Sequence, residues 1–146
     1  MGHHFYTTNP VEALQATTKG YAFEGVVCYV GSAATDQVRD EFYRLYQQSS
    51  NDHFYTPDAG ERDNAERILG YMGEGNAGFV SIAQRGGLVQ LYRLVGRAGD
   101  HFYTADASEV KQILGDYTQE QIYWAYPSDQ AKPDGATELY RLSTRD

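Results

Sequence analysis

Three copies of one tetrapeptide give the chain regularly spaced histidine, aromatic and threonine side chains. They are His4-Phe5-Tyr6-Thr7, His53-Phe54-Tyr55-Thr56 and His101-Phe102-Tyr103-Thr104. A second motif, Tyr-Arg-Leu, keeps the same spacing at residues 43–45, 92–94 and 140–142. Arginine offers a rigid fork of hydrogen-bond donors, and a neutral histidine has one ring nitrogen that donates a hydrogen bond and one that accepts. Together with an aromatic ring, these groups could bind the hydroxyl pairs and the apolar C–H face of a sugar.

Ten residues are candidates for such a carbohydrate site. They combine the repeated histidines and arginines with acids at equivalent positions and one indole: His4, His53, His101, Arg44, Arg93, Arg141, Glu24, Glu74, Glu120 and Trp124. A structural interpretation stands beside this one. Buried polar groups nearly always have partners, so the arginines and histidines could instead satisfy carbonyl groups and tyrosine hydroxyls in the core. Trp124 could likewise be a core residue.

Metal binding and catalysis receive less support from the residue pattern. The three repeated histidines could hold zinc if they converged, but sequence spacing alone does not establish that geometry. The chain has no glycine-rich phosphate loop and no serine nucleophile motif. A histidine–glutamate pair could transfer protons, but catalysis gives no chemical reason for three copies of such a pair. We therefore expect no catalytic residues, no metal and no cofactor.

Each tetrapeptide is predicted to be the returning strand of a hairpin whose first strand carries Tyr-Arg-Leu. In the hairpin of residues 41–56 we expect Leu45 opposite His53 and Arg44 opposite Phe54. A helix then begins with capping-box spacing at Asn9 and Glu12, at Asp58 and Glu61, and at Asp106 and Glu109. These six residues are expected to have a local structural task. The helices are predicted to end near Gly20, Gly70 and Gly115, and a further strand follows each at residues 21–30, 78–83 and 120–126.

The constant spacing predicts one structural unit copied three times within a single domain of residues 1–146. The predicted repeats span residues 4–52, 53–100 and 101–142. We expect an α+β fold in which three hairpin, helix and strand repeats form a closed pseudo-threefold ring. Pairing of residues 139–142 with residues 4–7 would close the ring within one hairpin, and closure would remove exposed sheet edges.

Composition excludes several classes of partner. The formal net charge is −8, whereas nucleic-acid binding depends on lysine and arginine neutralising phosphates. No run of residues is apolar and long enough for a spanning helix, and the N-terminus lacks the basic-then-apolar pattern expected of a secretory signal. A single cysteine, Cys28, fits a reducing compartment. We expect a cytoplasmic protein that does not insert into membranes. Secretion by a route that needs no signal sequence stays an alternative.

The order of motifs resembles a repeat family of uncharacterised function found in bacterial and fungal proteins, often beside carbohydrate-active domains. The resemblance spans residues 4–142 and rests on Leu/Phe-Tyr-Arg-Leu, then Asp-His-Phe-Tyr-Thr, a capped helix, Gly-Tyr and Glu-Gly. The organisation is also similar to that of small, internally threefold fungal lectins. Residues 116–117 and 120–121 depart from the pattern, and Asn76-Ala77 is an insertion. The resemblance implies association with carbohydrates, at a site intact in only some of the copies.

These observations favour a lectin with up to three weak, repeat-related sites that gain avidity by acting together on glycans or glycoconjugates. The alternative is a protein-binding module, such as an inhibitor or adhesion domain, that uses the variable loops 31–40, 84–89 and 127–137. A third possibility is that the repeats are wholly structural. The oligomeric state stays open.

Overall fold

The fold is built mainly from β-strands, as a computed structural model covering residues 2–144 describes it. Strands contain 48% of the residues and helices 17%. Met1 and residues 145–146, the ends of the predicted 1–146 domain, lie outside the described residues. In chain order the elements are β1 (His3–Thr7), α1 (Pro10–Thr17), β2 (Ala22–Gly31), β3 (Asp40–Gln47), β4 (Asp52–Thr56), α2 (Ala59–Arg67), β5 (Met72–Val80), β6 (Val89–Gly96), β7 (His101–Thr104), α3 (Ala107–Ile113), β8 (Tyr117–Ala125) and β9 (Ala136–Thr144).

The strands form two unequal sheets. Six strands make a curled half-barrel in the order β1-β9-β2-β5-β3-β4, and three more form the sheet β7-β6-β8. The predicted α+β class and the closed pseudo-threefold ring are therefore wrong. Strands dominate because β5 and β8 begin well before the predicted starts, at Met72 and Tyr117, whereas the helices have only seven to nine residues.

The sheets are unequal because β2 and β5 join sideways at Gly31 and Phe79. Gly78, with φ of +88°, lies where this crossing is tightest, and a β-carbon there would meet the Val30 side chain. Only glycine fits such an approach without strain. Among the described residues the three-stranded sheet meets the larger one through two isolated bridges, Tyr29 to Tyr126 and Ser81 to Trp124.

The first and last strands are neighbours. β1 runs antiparallel to β9, with His4 opposite Ser143, Phe5 opposite Leu142 and Tyr6 opposite Arg141. On its other side β9 pairs with β2 over eight registered positions. Arg141 is thus held in the middle of three strands.

The hairpin of β3 and β4 has a different register from the predicted one. Leu45 lies opposite Phe54 and Arg44 opposite Tyr55. The strands extend to the pair Gln47 and Asp52 and leave a four-residue turn that closes at Asn51, whose φ is +54°. Because side chains alternate along a strand, a shift of one residue exchanges the two faces. Arg44 therefore shares a face with Tyr55, not with Phe54.

The buried centre of the molecule contains the tyrosines of the three tetrapeptides. Tyr6, Tyr55 and Tyr103 are almost completely buried, and their rings meet edge to face with centroids 5.2–5.4 Å apart. Phe42 packs against two of them. This geometry is favourable for aromatic quadrupoles. The centre fixes the short strands β1, β4 and β7, and with them the histidines that precede these tyrosines.

Candidate functional site

Three arginines each bind two glutamates. The Arg44 guanidinium donates to both Glu12 carboxylate oxygens, over 2.8 and 2.9 Å, and its Nε donates to Glu74 over 3.1 Å. Arg93 and Arg141 repeat the arrangement with other glutamates, at distances of 2.7–3.0 Å. A bidentate pair of this kind gives strong, oriented hydrogen bonds.

A phenylalanine and a histidine complete each group. The arginine lies 4.7–5.0 Å from the ring centre of the phenylalanine, and the histidine packs on the same ring at 4.7–4.9 Å. We name three clusters by their arginines: the Arg44 cluster (Arg44, Glu12, Glu74, His53, Phe5), the Arg93 cluster (Arg93, Glu61, Glu120, His101, Phe54) and the Arg141 cluster (Arg141, Glu109, Glu24, His4, Phe102).

The same kinds of element supply each cluster. The arginine comes from the middle of β3, β6 or β9, and the first glutamate from the first turn of a helix, 32 residues earlier in every case. The second glutamate comes from the strand that pairs with the arginine's strand. A rigid sheet and a capped helix thus hold the charged atoms without help from loops.

The helix-start glutamates do not form the predicted capping box. The N-cap half is present, since the Asn9 side chain accepts from the backbone N–H groups of Val11 and Glu12. The reciprocal half is absent here, because the Asn9 N–H donates to the Thr7 hydroxyl. That hydroxyl donates in turn to Glu12, which also binds Arg44. The second helix repeats this chain of contacts, with Thr56 donating to Glu61.

Five glutamates of the clusters, Glu12, Glu61, Glu74, Glu109 and Glu120, have lowered pKa values that favour the ionised state. The hydrogen bond from Arg44 lowers the pKa of Glu12. Burial raises the pKa of Glu61, but the hydrogen bonds from Arg93 and Thr56 outweigh it and the net shift is downward. A hydrogen bond from His101 lowers the pKa of Glu120. These acids therefore act as fixed negative charges and hydrogen-bond acceptors near neutral pH.

The three histidines have unequal surroundings. Burial opposes the charge on His101, but hydrogen bonds to Asp52, at 2.7 Å, and Glu120 raise its pKa to about 9. Burial lowers the pKa of His4 to about 4, although Glu24 lies 3.8 Å away. Nδ1 of His4 and of His53 has no hydrogen-bond partner among the described residues. One sequence motif thus yields a charged histidine and a neutral one at pH 7.

The histidines do not converge on one point. His4, His53 and His101 each approach a different glutamate, respectively Glu24, Glu74 and Glu120. Over residues 2–144, no group of three or more histidine, cysteine, aspartate or glutamate side chains has the geometry to hold a metal ion.

Nine of the ten candidate site residues lie in the three clusters. They are His4, His53, His101, Arg44, Arg93, Arg141, Glu24, Glu74 and Glu120. Trp124 lies apart from them in β8, half-buried, with its backbone bonded to Ser81. The arginines are less available than a binding role suggests. Their side chains are 3–13% exposed, and every guanidinium nitrogen donates to a carboxylate.

Two grooves open beside the clusters, each between a helix and a pair of aromatic rings. The first groove, of about 220 Å³, is lined by Phe5, Glu12, Gln15, Ala16, Lys19, Tyr21 and His53. The second groove, of about 180 Å³, is lined by Phe54, Glu61, Asn64, Ala65, Leu69, Tyr71 and His101, with Arg93 and Glu120. The first seven residues of the two sets correspond one to one. Their ring pairs have centroids 5.9 and 5.7 Å apart.

The corresponding place beside α3 has a larger side chain. Phe102 and Tyr117 form the third ring pair, with centroids 5.9 Å apart. Where the first two helices have Ala16 and Ala65, α3 has Ile113, which packs onto the cluster of Phe102 and Tyr117. Three more carbon atoms at this position occupy the space that the smaller side chains leave open.

A larger cavity lies beside the Arg141 cluster. Its volume is about 510 Å³, and Glu24, Glu109 and Arg141 contribute to its wall. Val26, Val27 and Val89 supply apolar side chains to its lining, which also includes Pro127–Asp129. Part of the variable loop 127–137 thus borders this cavity.

The sequence interpretation missed the helix-start glutamates and the groove residues. Glu12, Glu61 and Glu109 appeared to be caps, yet a signal was available, because each stands 32 residues before its arginine. Each also follows the tetrapeptide threonine by five residues, the spacing of the Thr7–Glu12 hydrogen bond. Ala16 and Ala65 carried no chemical signal of their own, because they matter only by being small.

The protein is a mostly β domain with three arginine–glutamate clusters, and two open grooves lie beside these clusters. The chain belongs to the family described as a domain of unknown function, DUF5648, whose model matches residues 1–127 and, in an overlapping second match, residues 89–146. Comparisons with curated proteins and with solved structures gave no match. Within the described part of the chain, no helix has the length and apolar character needed to cross a membrane.

Proposed function

We propose that the protein binds carbohydrate weakly at the first and second grooves. The observation that carries this proposal is the set of residues that line the second groove. There the Phe54 and Tyr71 rings lie 5.7 Å apart, beside the side chains of Asn64, Glu61 and Glu120. Ligand sites are typically concave and largely apolar, with a few fixed polar groups that set orientation.

The chemistry of a pyranose fits these groups. The apolar C–H face of the sugar packs on an aromatic ring, and neighbouring hydroxyls donate to the carboxylates or accept from the Asn64 amide. In this proposal Arg93 contacts the sugar less than it orients Glu61 and Glu120. The candidate histidine His101 also lines the groove. Fixed acceptors of this kind need no rearrangement when the ligand arrives.

The pKa values of the groove glutamates support sugar binding without catalysis. A glycosidase of the usual kind needs one protonated carboxyl group as general acid beside an ionised one. Glu61 and Glu120 both have lowered pKa values and share one arginine. Neither is a suitable proton donor near pH 7.

Two equivalent grooves on one chain favour avidity. Sites that are individually weak gain roughly 10²–10⁴ in apparent affinity when one surface engages both. The proposal therefore assigns two sites to the chain instead of three, since Ile113 occupies the third position.

A glycan array with groove-filling variants tests the proposal. Ala16→Ile and Ala65→Ile place in the first two grooves the side chain that the third position already has. Each should weaken binding to immobilised glycans, and the double variant should abolish it. Ala59→Ile, an exposed change at the start of the same helix as Ala65, should leave binding unchanged.

Ala65 is buried, so that its variant could lose stability through overpacking. Asn64→Leu and Gln15→Leu provide a second route, because both positions are exposed and both changes remove a groove amide. Unaltered glycan binding by the folded double variants of both kinds would refute the proposal, as would a wild-type protein that binds no glycan.

Protein binding through the variable loops is the second candidate function, and the 510 Å³ cavity is the observation in its favour. Loop residues Pro127–Asp129 line it together with Val26, Val27 and Val89. The loops also touch each other, since Gln37 donates to the Gly86 carbonyl oxygen over 2.7 Å. Under this alternative, Val89→Glu would abolish partner binding while Ala65→Ile would not.

A further inference from the structure

The first and second grooves differ in charge at one rim position. Lys19 lines the first groove and Leu69 the second, and each directly precedes the Gly-Tyr pair that ends its helix segment. Both side chains are exposed, so this difference does not follow from packing.

The other cations that border the second groove are already neutralised. Arg93 binds Glu61 and Glu120, and His101 binds Asp52 over 2.7 Å. The second groove therefore has no cation left for an acidic ligand among the residues that the structure describes.

The first groove does have such a cation. Arg44, beside this groove, is bound by Glu12 and Glu74, as its counterpart is. Lys19 forms no ion pair with any residue in the range 2–144. Its ammonium group lies on a flexible stem at the rim of a groove whose wall contains the Phe5 and Tyr21 rings.

We propose that Lys19 makes the first groove selective for a sugar that carries a carboxylate, such as a uronic acid, whereas the second groove takes a neutral sugar. This inference rests on the proposed carbohydrate binding. With the sugar ring packed on the aromatic pair, a carboxylate at the ring's edge would point toward the Lys19 ammonium. A partly exposed ion pair changes affinity by roughly two- to fivefold, and salt weakens it.

The experiment separates the two grooves and then exchanges the rim residues. An array presents gluco-, galacto- and manno-configured glycans, each in neutral and uronate form. In the Ala65→Ile background, where only the first groove is open, we expect the uronate member of the bound pair to bind roughly two- to fivefold better. Adding Lys19→Leu should remove that preference, and 0.5 M salt should reduce it.

The reverse exchange tests the same position in the other groove. In the Ala16→Ile background, Leu69→Lys should create a preference for the uronate form. Lys111→Leu, an exposed lysine in α3 outside both grooves, is the matched control and should change nothing.

The possible failures are distinguishable. If the groove-filling variants weaken binding but the uronate preference is absent or survives Lys19→Leu, this inference is wrong and the proposed function stands. If the groove-filling variants leave glycan binding intact, the proposed function fails and this inference fails with it.

Discussion

The Tyr55 hydroxyl donates a hydrogen bond to the backbone carbonyl oxygen of Tyr6 and accepts one from the Tyr6 backbone N–H, both over 2.8 Å. Tyr6 makes the same pair of bonds to Tyr103, and Tyr103 makes it to Tyr55, over 2.7–2.9 Å. Three phenols thus close a cycle of hydrogen bonds in the buried centre. Burial raises the pKa of each phenol, which keeps all three protonated and able to donate.

Tyr55→Phe should cost about 2–6 kcal/mol of unfolding free energy. The change leaves the buried N–H and C=O groups of Tyr6 without partners, at about 1–3 kcal/mol each. Urea denaturation measures the loss. Tyr43→Phe is the control, since its hydroxyl bonds no described residue, and it should cost less than about 0.5 kcal/mol. Equal stabilities of the two variants would mean that the cycle contributes nothing.

Arg93→Ala should destabilise the fold by on the order of 3 kcal/mol. The Arg93 side chain is 3% exposed, and its removal leaves Glu61 and Glu120 facing each other without a cation. The estimate is the lower end of the range for broken buried pairs, because each glutamate keeps about a third of its side chain exposed. Thermal and urea unfolding measure the loss.

Arg93→Lys separates charge from geometry in the same cluster. A single ammonium cannot reproduce the fork that binds two carboxylates, so this variant should recover only part of the stability. Arg67→Ala, an exposed arginine in the last turn of α2, should change stability by less than about 0.5 kcal/mol. Full recovery by lysine would show that the bidentate geometry is unimportant.

His4 and His101 should titrate far apart although they occupy the same motif position. We expect His101 to lose its proton near pH 9 and His4 to gain one only near pH 4. NMR titration of the imidazole signals checks both values. Midpoints near 6.5 for both histidines would contradict the surroundings described for them.

The two shifts affect stability at opposite ends of the pH range. The raised pKa of His101 stabilises the fold fully below pH 6.5, and that contribution is lost as pH rises through about 9. The lowered pKa of His4 stabilises the fold fully above pH 6.5, and its contribution of roughly 2–3 kcal/mol is lost as pH falls toward 4. Urea denaturation of His4→Leu should therefore give a flatter profile between pH 6.5 and 4 than the wild type.

Ile113→Ala should open a third groove between α3 and the Phe102–Tyr117 ring pair. If the proposed function holds, the number of glycan sites per chain should rise from two to three in a calorimetric titration. The stability cost should stay below the ~2–5 kcal/mol of a fully buried isoleucine, because Ile113 is only partly buried. Ile113→Val, which keeps most of the volume, should leave the number at two.

The local elements and the strand pairs β1–β9, β3–β4 and β6–β7 could be predicted from the sequence, but the division into two unequal sheets could not. Strand alternation and N-cap residues indicated the order of strand, helix and strand around each tetrapeptide, because these signals act between near neighbours. Whether β2 pairs with β5 depends on how closely Val30 and Gly78 can approach, which no local pattern contains. The prediction of a closed ring is wrong because it did not include this contact.

The sequence by itself indicated three of the chemical groups in each cluster, since one arginine and one histidine recur at fixed spacing and one glutamate recurs at an equivalent position. Tertiary structure decided the rest. A four-residue turn shifted the hairpin by one position and gave Arg44 the same face as Tyr55, and the helix-start glutamates joined the arginines from 32 residues away. Space decided which grooves are open, because Ala16 and Ala65 leave room where Ile113 does not. Register and free volume arise from contacts between distant segments, and a motif cannot encode them alone.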